Sequence, residues 1–111
     1  MTTPLEAFGI LDLRIGTVLS AAPFVEARVP AIKLEIDFGP ELGVKRSSAQ
    51  LTWRYEAAAL VGRQVVAAVN LGTRRIAGYA SEVLVLGGIP EAGDVVLLAI
   101  DAPVPNGTRV A

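Results

Sequence analysis

The residues best equipped for chemistry are clustered in the middle of the chain: Lys45-Arg46-Ser47-Ser48, Arg54, the pair Arg74-Arg75, and Ser81-Glu82. Arginine forks grip phosphate bidentately, and serine hydroxyls read sugar or base edges, so together these types suit a polynucleotide. From Leu42 to Ala80 six cations face the single anion Glu56, a balance of +5, while the remaining residues carry −6 and the whole chain −1. If that segregation in sequence becomes segregation in space, one face attracts polyanions. Trp53, Tyr55 and Tyr79 are the only Trp or Tyr residues. With so few stacking platforms, RNA binding is expected to rest on shape and phosphate contacts.

Other constellations dissolve on inspection. Gly88 to Gly93 has the glycine spacing of a phosphate-binding loop, but Asp94 follows where that chemistry requires lysine, so a turn is expected. Lys45 and Ser48 are separated by an odd spacing that sends strand side chains to opposite faces, which removes a Ser-Lys dyad. Glu35, Asp37 and Glu41 read as solvated carboxylates beside a strand turn rather than as ligands of a hard cation. Asn106-Gly107-Thr108 matches a glycosylation acceptor, but Asn-Gly is a common turn pair and no secretory signal precedes it. The chain has no histidine and no cysteine. That excludes imidazole acid-base catalysis, thiol nucleophiles, disulfides and the usual zinc ligands, so no catalytic residue, metal or cofactor is expected.

The elements that must position the basic cluster follow from periodicity. Thr3-Pro4-Leu5-Glu6 is a helix entry, with a threonine cap, a first-turn proline and a glutamate three residues after the cap; Gly9 supplies a stop. So short a helix, showing Leu5 and Phe8, must dock on its own domain or on a partner. Leu11 to Leu19 alternates as a first strand, with Leu11, Leu13, Ile15, Thr17 and Leu19 on one face and Gly16 marking a bulge or sharp bend. Ala31 to Phe38 is the clearest strand, with Ile32, Leu34, Ile36 and Phe38 inward. Gly39 to Gly43 reads as a turn into a polar strand from Val44 to Leu51. Thr52 to Leu60 reads as a helix capped by Thr52 and ended by Gly62. Gln64 to Leu71 has the unbroken apolar run of a strand buried on both faces. Strands at Glu82 to Leu86 and Asp94 to Ile100 are joined by a turn at Gly87-Gly88-Ile89-Pro90, and Ala102 to Ala111 is a turn-rich extension.

Three strands, a helix and further strands make an all-β protein with short helices, in the order of a five-stranded OB-fold barrel with an N-terminal helix and a C-terminal extension. The 111 residues suit one domain, 1–111, with one core. Hydrophobic residues make up 52% and charged residues 19%, which opposes disorder and leaves apolar surface for a partner. No apolar run approaches membrane-spanning length, so a cytoplasmic protein without membrane insertion is expected.

Successive blocks resemble the tRNA-binding OB domain that is appended to methionyl- and phenylalanyl-tRNA synthetases and also occurs in free-standing dimeric proteins. These are Asp12 to Val18, Leu34 to Gly39, Arg46-Ser47-Ser48-Ala49, Val69-Asn70-Leu71 and Gly78 to Leu86. Within that family, Glu26 to Gly39, Ser47-Ser48-Ala49-Gln50 and Gly87 to Leu98 resemble the export-related chaperones of the CsaA type. The resemblance implies a homodimer whose N-terminal helix and C-terminal extension enter the interface, with tRNA, or unfolded preproteins and peptides and the export ATPase, as partners. Ser48 stands where the synthetase-appended pattern often has glycine, and Leu84 where it often has methionine. The expected nucleic-acid or peptide contacts are Lys45, Arg46, Ser48, Gln50, Arg54, Asn70, Arg74, Arg75, Ser81 and Glu82. Two readings follow: a non-enzymatic secretion chaperone retaining a tRNA-binding OB domain, or a structure-specific tRNA binder acting through phosphate contacts.

Overall fold

The computed structural model describes residues 1–111. The expected helix entry forms α1, Pro4–Ile10, with a reciprocal capping box: Glu6 N–H donates to Thr3 Oγ1 at 3.2 Å and Thr3 N–H donates to Glu6 Oε1 at 3.1 Å. None of its residues is buried, so the helix does not dock on its own barrel through an apolar face.

The barrel is built from β1 (Leu13–Pro23), β2 (Ile32–Asp37), β3 (Val44–Ala49), β4 (Gln64–Ala68) and β7 (Leu84–Val85). They form one antiparallel sheet in the order β3-β2-β1-β4-β7. Residues 81–83 close it against the outer edge of β3. Glu82 N–H donates to Arg46 O at 2.8 Å and Ser48 N–H to Ser81 Oγ at 3.0 Å. The buried Ser47 hydroxyl donates to Val83 O at 2.9 Å. The result is a nearly closed five-stranded barrel, as the element order implied. Ile32, Leu34, Ile36 and Phe38 all point into the core, where Val18, Leu51, Leu60, Val65, Ala67, Val83 and Leu97 meet them. β4 is buried on both faces from Val65 to Ala68.

β1 departs from strict alternation. Leu13 and Ile15 are buried, but so are Gly16 and Val18, while Leu19 is exposed. The strand pairs with β4 through Thr17 and with β2 from Thr17 onward, and one extra residue between Val18 and Ser20 shifts the register. The bulge therefore lies at Leu19, not Gly16. Gly16 serves a close approach instead: a Cβ there would stand 2.7 Å from Ile36 Cγ2 and from Phe38 Cδ1.

Elsewhere the elements are shorter than the periodicity suggests. Gly39–Leu42 is a single helical turn, α2, and the helix expected from Thr52 is reduced to α3, Ala57–Leu60, with Glu56 at the cap. Tertiary bonds hold the segment off a helical path: Arg54 forks onto Asp94, and the Tyr55 hydroxyl accepts Leu97 N–H at 3.0 Å. After β4 a hairpin absent from the sequence reading, β5 (Arg74–Ile76) with β6 (Tyr79–Ser81), projects from the barrel. The expected turn at Gly87 to Pro90 is instead a strand, β8 (Gly87–Glu91), paired with β9 (Asp94–Leu97), and the turn falls at Ala92-Gly93. Glycine and proline are tolerated there because β8 is an exposed edge.

The C-terminal extension is ordered against β1. Ile15 N–H donates to Thr108 O at 2.9 Å, Gly107 N–H to Ile15 O at 2.7 Å and Val110 N–H to Leu13 O at 2.9 Å. Asn106 Oδ1 accepts from Thr17 Oγ1 and Gln64 Nε2, which occupies the acceptor-like sequence in an internal network. No helix is long and apolar enough to cross a membrane.

Candidate ligand-binding groove

The loop from β1 to β2, the outer part of β3 with Gln50 and Leu51, the β5-β6 hairpin and the segment from Leu84 to Ile89 surround a groove of about 880 Å³. Its floor and walls are apolar: Ala31, Ala49, Leu51, Val85 and Val95 below, with Val29, Ile76, Leu84 and Ile89 around them. Its charged lining is Arg28, Arg74 and Arg75 against the single acid Glu26. Ser48 and Gln50 add polar groups from the β3 side. The volume falls in the range of ligand pockets, and the combination of an apolar bed with a few convergent polar groups is what such pockets need. No cluster of three or more carboxylate, imidazole or thiolate groups stands where a metal would be held.

Beside the groove lies a second cationic feature. Phe24 and Tyr79 meet edge to face at 5.4 Å, Lys33 Nζ sits 5.2 Å and 5.5 Å from their ring centres, and Arg46 lies 5.6 Å from that of Tyr79. The Tyr79 hydroxyl donates to Leu34 O at 3.0 Å, and partial burial raises its pKa while the Arg46 charge pulls the other way. The aromatic faces hold both cations in place on the outer surface of β2 and β3.

The sequence-derived site residues thus separate into two groups. Ser48, Gln50, Arg74 and Arg75 converge on the groove, and Lys45 and Arg46 lie along β3 beside it. The others carry internal bonds. Ser81 and Glu82 serve the β3 edge, where Glu82 Oε1 also accepts Arg46 N–H at 3.0 Å. Asn70 clamps the start of the barrel to α1: its Nδ2 donates to Ile10 O at 2.8 Å and its Oδ1 accepts Asp12 N–H at 2.9 Å. Arg54 makes a two-pronged contact with the buried Asp94, Nε to Oδ1 at 2.5 Å and Nη2 to Oδ2 at 2.8 Å, which holds the Asp94 carboxyl below its ordinary pKa.

Residues 13–109 match the family model described as "Putative tRNA binding domain". The chain belongs to the tRNA-binding-domain family. Among solved structures it is similar to the chaperone CsaA of Bacillus anthracis str. Ames, with 60% identity, a TM-score of 0.93 and complete coverage of both chains. It is likewise similar to the CsaA chaperone protein of Picrophilus torridus, with 40% identity, a TM-score of 0.89 and complete coverage of both chains. A methionine–tRNA ligase of Methanococcoides burtonii is 33% identical over 95% of this chain, but the match covers 15% of that enzyme. The chain therefore corresponds to one domain of such ligases, and a tRNA-binding domain is a binding unit rather than a catalytic one.

Within this tRNA-binding-domain frame the groove lies near the surface where OB folds present their ligand site, at the end of β3 and between the loops that follow the first and fourth barrel strands. Those loops are the segment between β1 and β2 and the β5-β6 hairpin. Residues 26–29 of the first loop fall within the block Glu26 to Gly39 that carries the CsaA-type resemblance, but none of them is among the expected contact residues. Arg28, Glu26 and Val29 lie in a proline-flanked loop outside the basic window, so charge does not mark them, and the signals that do are the loop's position after the first strand of an OB order and the Glu26 to Gly39 resemblance.

Proposed function

We propose that this protein is a non-enzymatic, CsaA-like secretion chaperone acting in the cytoplasm as a homodimer, each subunit one domain spanning residues 1–111. Unfolded preproteins and peptides bind in the groove, and the assembly works alongside the export ATPase. The observation that carries the reading is the groove itself: an apolar bed of about 880 Å³ rimmed by Arg28, Arg74 and Arg75. An unfolded segment offers the same mixture of apolar side chains and unpaired backbone, whereas a polynucleotide has little use for Leu84, Ile76 and Ile89. The 60% identity to a chaperone named CsaA supports the same conclusion.

A second reading is favoured by a separate observation, the membership of a tRNA-binding family together with the +5 window. Here folded tRNA lies across two subunits, contacted at phosphate by Lys45, Arg46, Arg74 and Arg75, with Ser48 and Gln50 at sugar or base edges. Each arginine that contacts phosphate steepens the salt dependence by about one unit of slope.

Fluorescence-anisotropy competition separates the two. A labelled unfolded-preprotein peptide is titrated with protein and then challenged with folded tRNA at low and high salt. The chaperone reading expects peptide binding that changes little with salt, and suppressed aggregation of an unfolded substrate. Failure of both sinks it. Affinity for tRNA that does not fall with salt, or that survives Arg74→Ala with Arg75→Ala, sinks the phosphate-contact reading.

A further inference from the structure

β5 is paired on one side only. Its sole partner is β6, in the register Arg74 with Ser81, Arg75 with Ala80 and Ile76 with Tyr79. The two-residue turn Ala77-Gly78 has φ of 46° and 82°, the twist of a tight primed hairpin, whose closing pair is hydrogen-bonded. In an antiparallel ladder bonded and non-bonded pairs alternate, so Ile76–Tyr79 is bonded and Arg75–Ala80 is not. The N–H and C=O of Arg75 consequently point away from β6. No turn, loop or cap bond elsewhere in the chain uses them.

That free edge faces the groove. Arg74, Arg75, Ile76 and Ala77 line it in succession, whereas none of Tyr79–Ser81 does. Consecutive lining residues on a strand mean that the edge, not one face, is presented, since a face would show only every second side chain. An unpaired edge normally invites pairing with another chain; this one is three residues long and two of them are arginines, which limits self-association while leaving the backbone groups open.

We propose that peptides dock in this groove as an added β-strand on the outer edge of β5, bonded to the main chain of Arg75, and that the preferred sequences alternate apolar and acidic residues. The inference rests on the peptide-binding reading above and specifies its mode. Main-chain bonds supply affinity that no particular sequence is needed to obtain, which suits a binder of diverse unfolded segments. Side chains of an added strand point alternately to its two sides. One set meets the apolar floor of Leu51, Val85 and Val95, and the other meets a rim whose three arginines outnumber Glu26. Charge complementarity therefore selects carboxylates over ammonium groups at alternate positions.

The test compares Arg75→Ala with Arg75→Pro. Both lose the guanidinium; only the second loses the N–H. The ligand is a labelled peptide alternating valine and glutamate, read by anisotropy at a salt concentration that screens long-range attraction, with folded tRNA as a second ligand. Relative to Arg75→Ala, Arg75→Pro is expected to bind the peptide about tenfold more weakly, the size of one net hydrogen bond, and to bind tRNA equally. Equal tRNA binding also reports that the proline variant is folded. On the unaltered protein, N-methylating the peptide at alternate residues is expected to cost about tenfold in one of the two registers, a comparison that needs no variant to fold. Equal peptide binding by the two variants, or full binding by both N-methylated registers, overturns the strand-addition mode while leaving the chaperone reading standing. A valine–lysine peptide that binds as tightly overturns the acidic preference. If the unaltered protein binds none of these peptides and no preprotein, the chaperone reading itself has failed.

Discussion

At the scale of single residues, two positions show how much of the barrel depends on one atom or one charge. Gly16 has no room for a methyl group: its Cβ would stand 2.7 Å from two core side chains and 2.8 Å from the Asp37 carbonyl, and the backbone contact cannot be relieved by rotating a side chain. Gly16→Ala is therefore expected to destabilise the protein by about 2 kcal/mol, as overpacked cores do, and a urea midpoint unchanged from the parent would refute the close approach. Asp94 carries the charge argument. Its two oxygens accept from Arg54, so its pKa is depressed in the folded protein and returns to about 3.9 when the chain unfolds. A depressed carboxylate stabilises the fold at pH values above its unfolded pKa, and that contribution fades as the pH falls through its folded pKa. Below about pH 4 the parent is thus expected to lose stability more steeply than Asp94→Asn, which has no proton to take up. Urea midpoints from neutral to acid pH measure this, and parallel curves would show that the ion pair contributes nothing.

At the scale of elements, the β5-β6 hairpin owes its shape to a turn with an uncommon occupant. Ala77 is the one non-glycine residue at positive φ, 46°, in a turn position that favours glycine or asparagine. Ala77→Asn is expected to relieve strain and stabilise the hairpin by about 1 kcal/mol, whereas Gly78→Ala loses a comparable amount. Amide exchange at Ile76 and Tyr79 checks both, and an Ala77→Asn variant that exchanges faster contradicts the turn assignment. The same hairpin shows where sequence reading loses its grip. β2 was legible because four apolar residues alternate with charges across one half-buried sheet. Thr73 to Ser81 has no such pattern, since Arg74 and Arg75 on β5 are exposed while consecutive residues Ala80 and Ser81 on β6 are both buried. Gly87, Gly88 and Pro90 on β8 are turn residues and signal a turn, and only the strand's position as an exposed edge makes a strand of them. The helix expected from Thr52 gave way to long-range bonds from Arg54 and Tyr55 to β9, partners far away in the chain. The site follows the same rule. Arg74 and Arg75 announced themselves by charge, but Asn70, Ser81 and Glu82 are spent on bonds that only the closed barrel creates, and Arg28 joins the groove only once the loop after β1 folds over it.

At the scale of the whole molecule, the barrel leaves α1 without support. Leu5 is 82% exposed, Phe8 49% and Ile10 68%, and the helix is held only by its capping box and by Asn70 at its end. Seven residues cannot sustain a helix in water, because nucleation costs more than so few bonds return. Leu5 and Phe8, three residues apart and so on one side of the helix, pair as exposed apolar surface of the kind that partners cover. The homodimer proposed above resolves both difficulties when the helix packs against a second copy, and it joins two basic windows into a field of about +10 despite a dimer net charge of about −2. Light scattering at micromolar concentration is expected to give the mass of two chains, and the thermal midpoint should rise with protein concentration. Leu5→Glu with Phe8→Glu places two carboxylates on the apolar side of α1, removing the contact without touching the barrel core. That variant is expected to be monomeric, to keep its barrel, and to lose helical signal as α1 frays. Its tRNA affinity should fall with it, since half the cationic field has gone, whereas peptide binding in a groove formed within one subunit should persist. A parent protein that scatters as a stable monomer, with α1 still protected from exchange, would show that something other than a second copy covers the helix.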